Sequence, residues 1–417
     1  MLTILASVAL LNTTSTVTVA ARTEGRMRSE TGSSSLAQSK DSALELEVAP
    51  TAAYTIIGNS ANDYLTAIYV PRFILPDTLS PSFGDAGERK SRFSTFHNGG
   101  FAIGHTRPKF RLDFLALGAI GSINTAALLN QPPWRGDRLP ETPLILLPAE
   151  RSNRFTVAFY QIQATPTFRL DAKWSLTPMV RFNAFGGAES QSRATLPLTR
   201  GPQTETRLAY KPTRRATLTT FLGAAYTTVL AAQIDVAGQV IGDRQGAAVS
   251  NAAAEQSFAY KTSRQGELEV GIGSTIAGVR TQGLKLSPIG HAQYVYRTPR
   301  TKWAVVLKQA PWLNLFAGEY EPRTELTVAA HVDLDRHWVY RGQASAIRTL
   351  GKLESVSRYT FVVGDTAGGY RLTREALLEV GVRAGLQDMT NSLFDSRTVQ
   401  LVGFVSFTYV PEHPHKL

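Results

Sequence analysis

The chain of 417 residues carries 44 Lys or Arg against 33 Asp or Glu, a formal net charge of +11, and contains no Cys. The absence of Cys excludes disulfide frameworks, thiolate metal sites and thiol nucleophiles. Only 18% of the residues are charged, the mean hydropathy is −0.11, and no run approaches the about 18 consecutive apolar residues of a membrane-spanning helix. These figures do not exclude a membrane-spanning β-barrel, because its strands alternate apolar and polar residues.

The chain begins with a short apolar run, residues 2–11, followed by a polar stretch. The length of the run fits the apolar region of a secretory signal peptide and is too short for a helical span. No Lys or Arg precedes Arg22, so the basic start of a signal peptide is missing. A mis-started N-terminus and an ordinary buried strand are therefore the alternatives to a signal peptide.

Apolar and polar residues alternate with a period of two along nearly the whole chain, as in half-buried strands. Leu378 and Val380, for example, flank Glu379. No segment of comparable length follows the 3.6-residue period of a helix as clearly, so the sequence predicts an all-β chain. The clearest alternating segments are 15–27, 44–56, 266–276, 323–333, 375–387 and 397–410.

A short basic turn recurs between the predicted strands. Its closest copies are 209–215 (AYKPTRR), 259–265 (AYKTSRQ) and 295–300 (VYRTPR). Successive turns lie roughly 35–60 residues apart, which leaves room for two strands and one longer connection. Pro, Thr, Ser and Asn favour turn geometry, and the aromatic residue before each turn is typical of a membrane interface. Looser copies and an eighth tight turn lie at 107–109, 168–171, 333–336, 370–374 and 58–62.

Longer, irregular connections are expected on the other side. Short turns at one end and long loops at the other are typical of an outer-membrane barrel, with the turns periplasmic. Two wide loops, 125–152 and 232–249, are candidates for folding into the lumen as constrictions. A propeller needs four strands in each repeat rather than two, so the pattern favours the barrel over a propeller. The expected connections are 77–91, 125–152, 188–199, 232–249 and 388–396.

Eight turns join about sixteen strands, and the segments 15–27 and 397–410 raise the count to about eighteen. Sixteen strands remain if 15–27 is cleaved or unpaired. The sequence therefore predicts a single antiparallel up-and-down transmembrane β-barrel in the outer membrane of a Gram-negative bacterium. We expect residues 1–14 to be signal-like or mis-started, 15–410 to form the barrel, and 411–417 to be a short tail. The region before the first strand is too short to supply a plug domain.

Barrels of this size leave an aqueous channel unless they are plugged. The polar members of the alternating segments are therefore candidate pore-lining residues. Charged rings would bias the passage of ions, and the net charge slightly favours anionic passengers. Alternatively, these charges pair across strands and only solvate the interior, while the basic turns meet lipid headgroups. The candidates are Arg22, Arg26, Glu45, Glu47, Arg111, Asp113, Arg181, Glu267, Glu269, Lys308, Arg323, Glu325, His331, Glu379 and Arg383.

Catalysis and nucleic-acid binding are poorly supported by the sequence. No GxSxG elbow, HExxH motif or Walker loop is present, and His413 and His415 lie in the terminal tail. His105 or His291 could pair with a serine, but a lone histidine on a strand is usually structural. The basic residues are spread over turns and inner positions rather than along one stripe. We expect no enzymatic activity, no metal or cofactor and no nucleic-acid partner.

Several short motifs resemble those of outer-membrane barrels from myxobacteria and their relatives. They are 21–24 (ARTE), 69–73 (YVPRF) and the repeated Tyr-Lys/Arg-Thr/Pro hairpins. Within that group the chain is similar to the roughly eighteen-stranded barrels proposed to carry secreted polysaccharide across the outer membrane. The resemblance implies a polymer-conducting pore and a periplasmic polysaccharide-export protein as its partner. One departure is the C-terminus, which continues past Tyr409 instead of ending in an aromatic residue.

Three functions follow from this reading of the sequence. The first is a pore for polysaccharide export, and the second is a general diffusion porin for small hydrophilic solutes. The third is a non-conducting barrel that displays surface loops for adhesion or assembly. Outer-membrane lipid is an expected partner in each case, and the oligomeric state is left open.

Overall fold

The computed structural model describes residues 12–32, 38–57, 62–76, 94–123, 155–235, 239–279, 283–314, 319–349, 358–390, 395–410 and 415–416. Nearly all of these residues are extended. Among them, eighteen long strands follow one another along the chain. They are β1 (Asn12–Gly32), β2 (Gln38–Ile57), β3 (Asp63–Pro76), β4 (Ser94–Arg107), β5 (Phe110–Ile123), β6 (Phe155–Arg169), β7 (Trp174–Gly187), β8 (Leu198–Tyr210), β9 (Ala216–Ile234), β10 (Val240–Lys261), β11 (Gly266–Val279), β12 (Gly283–Arg297), β13 (Thr301–Asn314), β14 (Glu319–Asp333), β15 (Trp338–Thr349), β16 (Arg358–Arg371), β17 (Ala376–Thr390) and β18 (Asp395–Tyr409).

The strands form one closed antiparallel sheet. Each strand pairs with the next along the chain, and β1 pairs with β18, from Val19 opposite Tyr409 to Gly32 opposite Ser396. A two-residue strand, β19 (His415–Lys416), adds a short contact to β1. The prediction of an all-β up-and-down barrel with eighteen strands is confirmed. The segment 15–27 belongs to a paired strand, β1, which closes the barrel and excludes the sixteen-strand count.

The outer face of the barrel is apolar. Leu284 and Ile272 are 78% and 75% exposed, whereas Thr275 and Ala277, which alternate with outer residues of β11, are buried. This distribution is the reverse of a soluble protein, in which exposed positions are mostly polar. It is the distribution of a barrel whose outer face meets lipid.

Six of the turns at one end share a single hydrogen-bonding device. In each, an Asp, Ser or Thr oxygen accepts the backbone N–H groups two and three residues ahead, and the next strand begins at the second of these. In the 334–337 turn, the Asp335 carboxylate accepts the N–H of Trp338 at 2.7 Å and of His337 at 2.6 Å. These bonds lower the pKa of Asp335. The residues that accept in this way are Asp171, Thr213, Ser263, Thr298, Asp335 and Thr373.

Aromatic side chains form a belt on the outer face just above these turns. Cross-strand partners contact each other there: Trp174 stacks on Tyr210 with ring centroids 4.5 Å apart, and Trp338 meets Tyr370 edge to face at 5.0 Å. Phe110 and Phe168 make a third pair at 5.3 Å. Such belts lie at the membrane–water interface. The aromatic rings stand on both sides of the turns, rather than only before them.

The opposite end differs from the sequence prediction. The expected wide loop at 232–249 is wrong, because β9 continues to Ile234 and β10 begins at Val240. The 388–396 connection is likewise mostly strand. A short helix, α1 (Ser190–Thr195), interrupts the 188–199 connection. Polar and small residues suggested loops. However, these strands extend beyond the apolar band into water, where polar and small residues can form strands as well as loops. The wide loop at 125–152 and the connection at 77–91 both lie outside the described residues.

No helix in the described ranges is long and apolar enough to cross a membrane. The interpretation of residues 1–14 as signal-like stays a prediction, because residues 1–11 are outside those ranges. The same holds for the tail, of which 411–414 and 417 are outside them.

Candidate functional site

The inner face of the barrel holds every candidate pore-lining residue named in the sequence analysis. Glu379 and Arg383, for example, alternate with Val380 and Val382, whose side chains are exposed on the outer face. For the first strands, the pairing register also indicates an inner position, since Arg22 lies opposite Glu47 of β2 and Ser406 of β18. The side chains of four candidates lie outside the described part of the structure, so only their positions are assigned. These four are Arg22, Arg26, Glu45 and Glu47.

The inner face falls into two regions with different solvent exposure. We call the inner face of β5–β13 the accessible wall, because its charged side chains are exposed or half-buried. We call the inner face of β14–β18 the buried wall, because most of its side chains are nearly inaccessible to solvent. The difference is large: the side chain of Arg111 is 56% exposed and that of Arg341 is 2% exposed.

At the start of the accessible wall, Arg111 donates to Asp113 two residues further along β5. Nε lies 2.7 Å from Oδ2, and Nη2 lies 3.0 Å from Oδ1. Tyr64, on the inner face of β3, donates its hydroxyl to the same Asp113 carboxylate at 3.0 Å. The predicted pore-lining residues Arg111 and Asp113 are therefore brought together as a two-point ion pair.

A second chain of contacts joins β7 to β8. Arg181 donates to the Gln203 side-chain carbonyl at 2.5 Å and lies 3.8 Å from Glu205. Gln203 in turn donates to Glu205 at 2.8 Å, and Arg207 donates to the other Glu205 oxygen at 3.2 Å. Only Arg181 was a candidate from the sequence. Its charge is balanced by its neighbours rather than presented alone.

His291 of β12 connects two carboxylates on two other strands. Its Nδ1 lies 2.5 Å from Oε1 of Glu255 on β10, and its Nε2 lies 3.4 Å from Oε1 of Glu269 on β11. The contact with Glu255 passes over Gly271, where an added Cβ would overlap the Glu255 carboxylate. The missing side chain of Gly271 therefore permits an interaction that spans three strands.

Two candidates on the accessible wall make no ion pair within the described residues. Lys308 and Glu267 are both exposed on the inner face, on β13 and β11. Neither has an ion-pair partner within 4 Å among the described residues, although Glu325 lies opposite Lys308 and Lys261 lies opposite Glu267 on the neighbouring strands. Among the described residues, no group of three or more His, Asp and Glu side chains has the geometry of a metal site.

The buried wall also contains ion pairs, but they are closed off from solvent. Arg341 of β15 pairs with Glu379 of β17, and the side chains are 2% and 4% exposed. The pair passes over β16, where Ala367 and Gly369 lie opposite the two residues and leave room for them. Buried charges are stable only when they are paired in this way.

Other candidates on the buried wall are paired as well. Arg383 lies 3.9 Å from Asp365 on the neighbouring strand, and Arg323 lies 2.9 Å from Glu325 on its own strand. His331 lies 3.4 Å from Asp333, which also accepts from Arg371 at 2.6 Å. Two glutamines, Gln387 and Gln400, are buried among these charges.

The helix α1 lies against the inner face at the end opposite the turns. Gly187, an inner position of β7, directly contacts Ser192 of α1, and a Cβ there would overlap the Ser192 carbonyl carbon. The helix contacts β6, β9 and β10, in which the inner residues Val157, Val229 and Val249 are buried. The 188–197 connection therefore narrows the barrel, a role that the sequence analysis gave to 125–152 and 232–249.

A bidentate ion pair holds α1 in place. Arg193 donates through Nε and Nη2 to the two carboxylate oxygens of Asp243 on β10, at 2.9 and 2.6 Å. It also donates to the backbone carbonyl of Ala188 at 2.6 Å. The helix is thereby fixed to a strand that is not adjacent to it in sequence.

Sequence reasoning missed several inner-face partners that the structure reveals. The alternation of inner and outer residues along each strand could have placed these residues on the inner face. Their pairing could not be predicted in this way, because it depends on register between strands that the sequence leaves open. The missed partners are Glu205, Arg207, Glu255, Asp333, Arg341, Asp365 and Arg371.

No protein-family model and no curated protein matches the sequence. Among solved structures, OccK9 (OpdG) of Pseudomonas aeruginosa is 12% identical, with a TM-score of 0.50, and the match covers 95% of this chain and 98% of that one. The apoprotein form of the FrpB iron transporter of Neisseria meningitidis (F5-1 variant) is 8% identical, with a TM-score of 0.51 and 90% of this chain covered. The chain spans about 62% of the length of both FrpB structures that it matches. The fold is that of Gram-negative outer-membrane β-barrels.

Proposed function

We propose that the chain forms a passive outer-membrane channel for small hydrophilic solutes. The observation that carries the proposal is the closed eighteen-strand barrel with an apolar outer face and a polar, partly accessible inner face. Such a barrel is too wide to be filled by its own inward side chains. Its likeness in fold to OccK9, over nearly the full length of both chains, supports the same proposal.

The pore-lining role of the fifteen candidates forms part of this proposal. Because most of the described candidates are paired with an opposite charge, the lumen should discriminate only weakly between anions and cations. Lys308 and Glu267 are the exceptions, and we expect them to set the small selectivity that remains.

Planar-bilayer recording of the purified chain tests the proposal. We expect discrete conductance steps, and a reversal potential near zero across a KCl gradient. Lys308→Glu should move the reversal potential toward cation preference, whereas Lys109→Glu, in a turn outside the lumen, should leave it unchanged. The absence of conductance under all conditions would contradict the channel and favour a barrel that only displays loops.

Polysaccharide passage, with a periplasmic export protein as partner, stays a prediction of the sequence resemblance. A polymer needs a wide continuous path, and the low solvent exposure of the buried wall favours small solutes instead. Addition of polysaccharide to one side of the bilayer distinguishes the two. If the polymer blocks the current transiently and is then found on the other side of the bilayer, the result would favour export over the small-solute channel.

A further inference from the structure

The turn end of the barrel carries nearly all of the net charge of the protein. Seven turns with their flanking residues hold 14 Lys or Arg against 4 Asp or Glu, a difference of +10, compared with +11 for the whole chain. All of these basic side chains except Arg371 are exposed. We call this surface the basic rim, defined by residues 107–109, 169–173, 210–215, 261–265, 297–300, 333–337 and 371–375.

The turn structure holds the basic side chains in position. In the 211–215 turn, the Thr213 hydroxyl accepts the N–H groups of Arg215 at 3.2 Å and of Ala216 at 3.1 Å. The cap residue thereby fixes the backbone that carries Arg214 and Arg215. In each of the six turns where an Asp, Ser or Thr side chain accepts two backbone N–H groups, a Lys or Arg occupies one of the two positions after that residue. The rim is thus built on ordered turns, so little conformational entropy of the backbone is lost when it binds a partner.

The aromatic belt fixes the level of the rim relative to the membrane. Trp174 and Tyr210 are the residues that directly border the 170–173 and 211–215 turns, and they stack on the outer face. Aromatic belts lie at headgroup level, so the basic residues beside them are at the height of the lipid phosphates. Because short turns face the periplasm, the leaflet concerned is the inner one.

We propose that the basic rim binds the anionic headgroups of phospholipids in the periplasmic leaflet. Each of the seven turns of the rim carries at least one Lys or Arg, so the charge extends around the barrel. A ring of this kind suits a shell of lipid around the circumference, whereas a docked protein would contact one sector. Each Lys or Arg near an anionic surface contributes about 1 kcal/mol, so several together give a strong preference. The proposal does not depend on what passes through the lumen.

The test compares the lipids retained by the purified full-length protein in mixed micelles of detergent, phosphatidylglycerol and phosphatidylcholine. The variant Lys211→Gln/Arg214→Gln/Arg215→Gln removes three rim charges and keeps the Thr213 cap. The control Arg200→Gln/Arg244→Gln/Arg348→Gln removes three exposed charges near the other end of the barrel. Native mass spectrometry measures the ratio of bound phosphatidylglycerol to phosphatidylcholine.

We expect the wild type to prefer phosphatidylglycerol, and the rim variant to lose at least about fivefold of that preference, the equivalent of one charge. The control should keep the preference, and raised salt should weaken it in the wild type. An equal loss in the control, or no loss in the rim variant, overturns the proposal. So does full displacement of phosphatidylglycerol by an equal concentration of inorganic phosphate or of an acidic polypeptide, which would assign the rim to soluble anions or to a protein. If the triple variant does not fold, Arg264→Gln/Arg336→Gln, which removes one exposed charge from each of two other turns, replaces it.

Discussion

The accessible wall and the buried wall are built from the same alternating pattern, yet solvent reaches them very differently. Arg111 and Asp113 pair in contact with water, whereas Arg341 and Glu379 pair almost wholly out of contact with it. An exposed ion pair contributes about 0–1 kcal/mol, because water and salt screen it. Loss of one partner from a buried pair costs about 3–5 kcal/mol, because the remaining charge is left without compensation. The two walls should therefore respond to the same type of substitution by different amounts.

The largest effect is expected from Glu379→Gln on the buried wall. The substitution leaves the Arg341 guanidinium buried without its carboxylate, and we expect a loss of about 3–5 kcal/mol in the free energy of unfolding. The urea midpoint for folding into vesicles measures it, together with the heat-dependent change in gel mobility.

Replacement of both partners separates the buried charge from simple packing. In Arg341→Met/Glu379→Met no charge remains to be solvated, so most of the lost stability should return. A double variant as unstable as the single one would show that the packing of these side chains, and not their charge, stabilises the buried wall.

The period-two pattern was sufficient to predict the fold and the face on which each candidate lies. It predicted the barrel from segments such as 266–276 and 375–387, and every candidate from Arg22 to Arg383 lies on an inner position. It could not predict which charges are buried, because solvent exposure depends on what lies across the lumen. It also missed α1, the extension of β9 to Ile234 and the start of β10 at Val240, since polar and small residues form strands beyond the lipid as readily as loops.

An intermediate effect is expected at Gly271, where the accessible wall depends on a missing side chain. Gly271→Ala places a Cβ against the Glu255 carboxylate and the His291 ring, so their contact must break. We expect a loss of about 1–3 kcal/mol, the usual cost of overpacking. Gly118→Ala, at an outer position of β5, is the control, because nothing lies within 4 Å of its added Cβ. The control should be neutral or gain about 0.5–1 kcal/mol from reduced backbone entropy. Equal urea midpoints for the two variants would argue against a constraint at Gly271.

The smallest effect is expected from Asp113→Asn on the accessible wall. Arg111 is more than half exposed, so water solvates its guanidinium once the carboxylate is removed. The Tyr64 hydroxyl keeps a hydrogen-bond acceptor in the side-chain amide oxygen of the variant, which limits the loss further. We expect a change of no more than about 1 kcal/mol in the same urea titration, and one that shrinks at high salt. The substitution also leaves one lumen charge unbalanced, so the reversal potential should shift toward anions while stability barely changes. A stability loss as large as that of Glu379→Gln would mean that the two walls do not differ in solvation, and the contrast between them would fail.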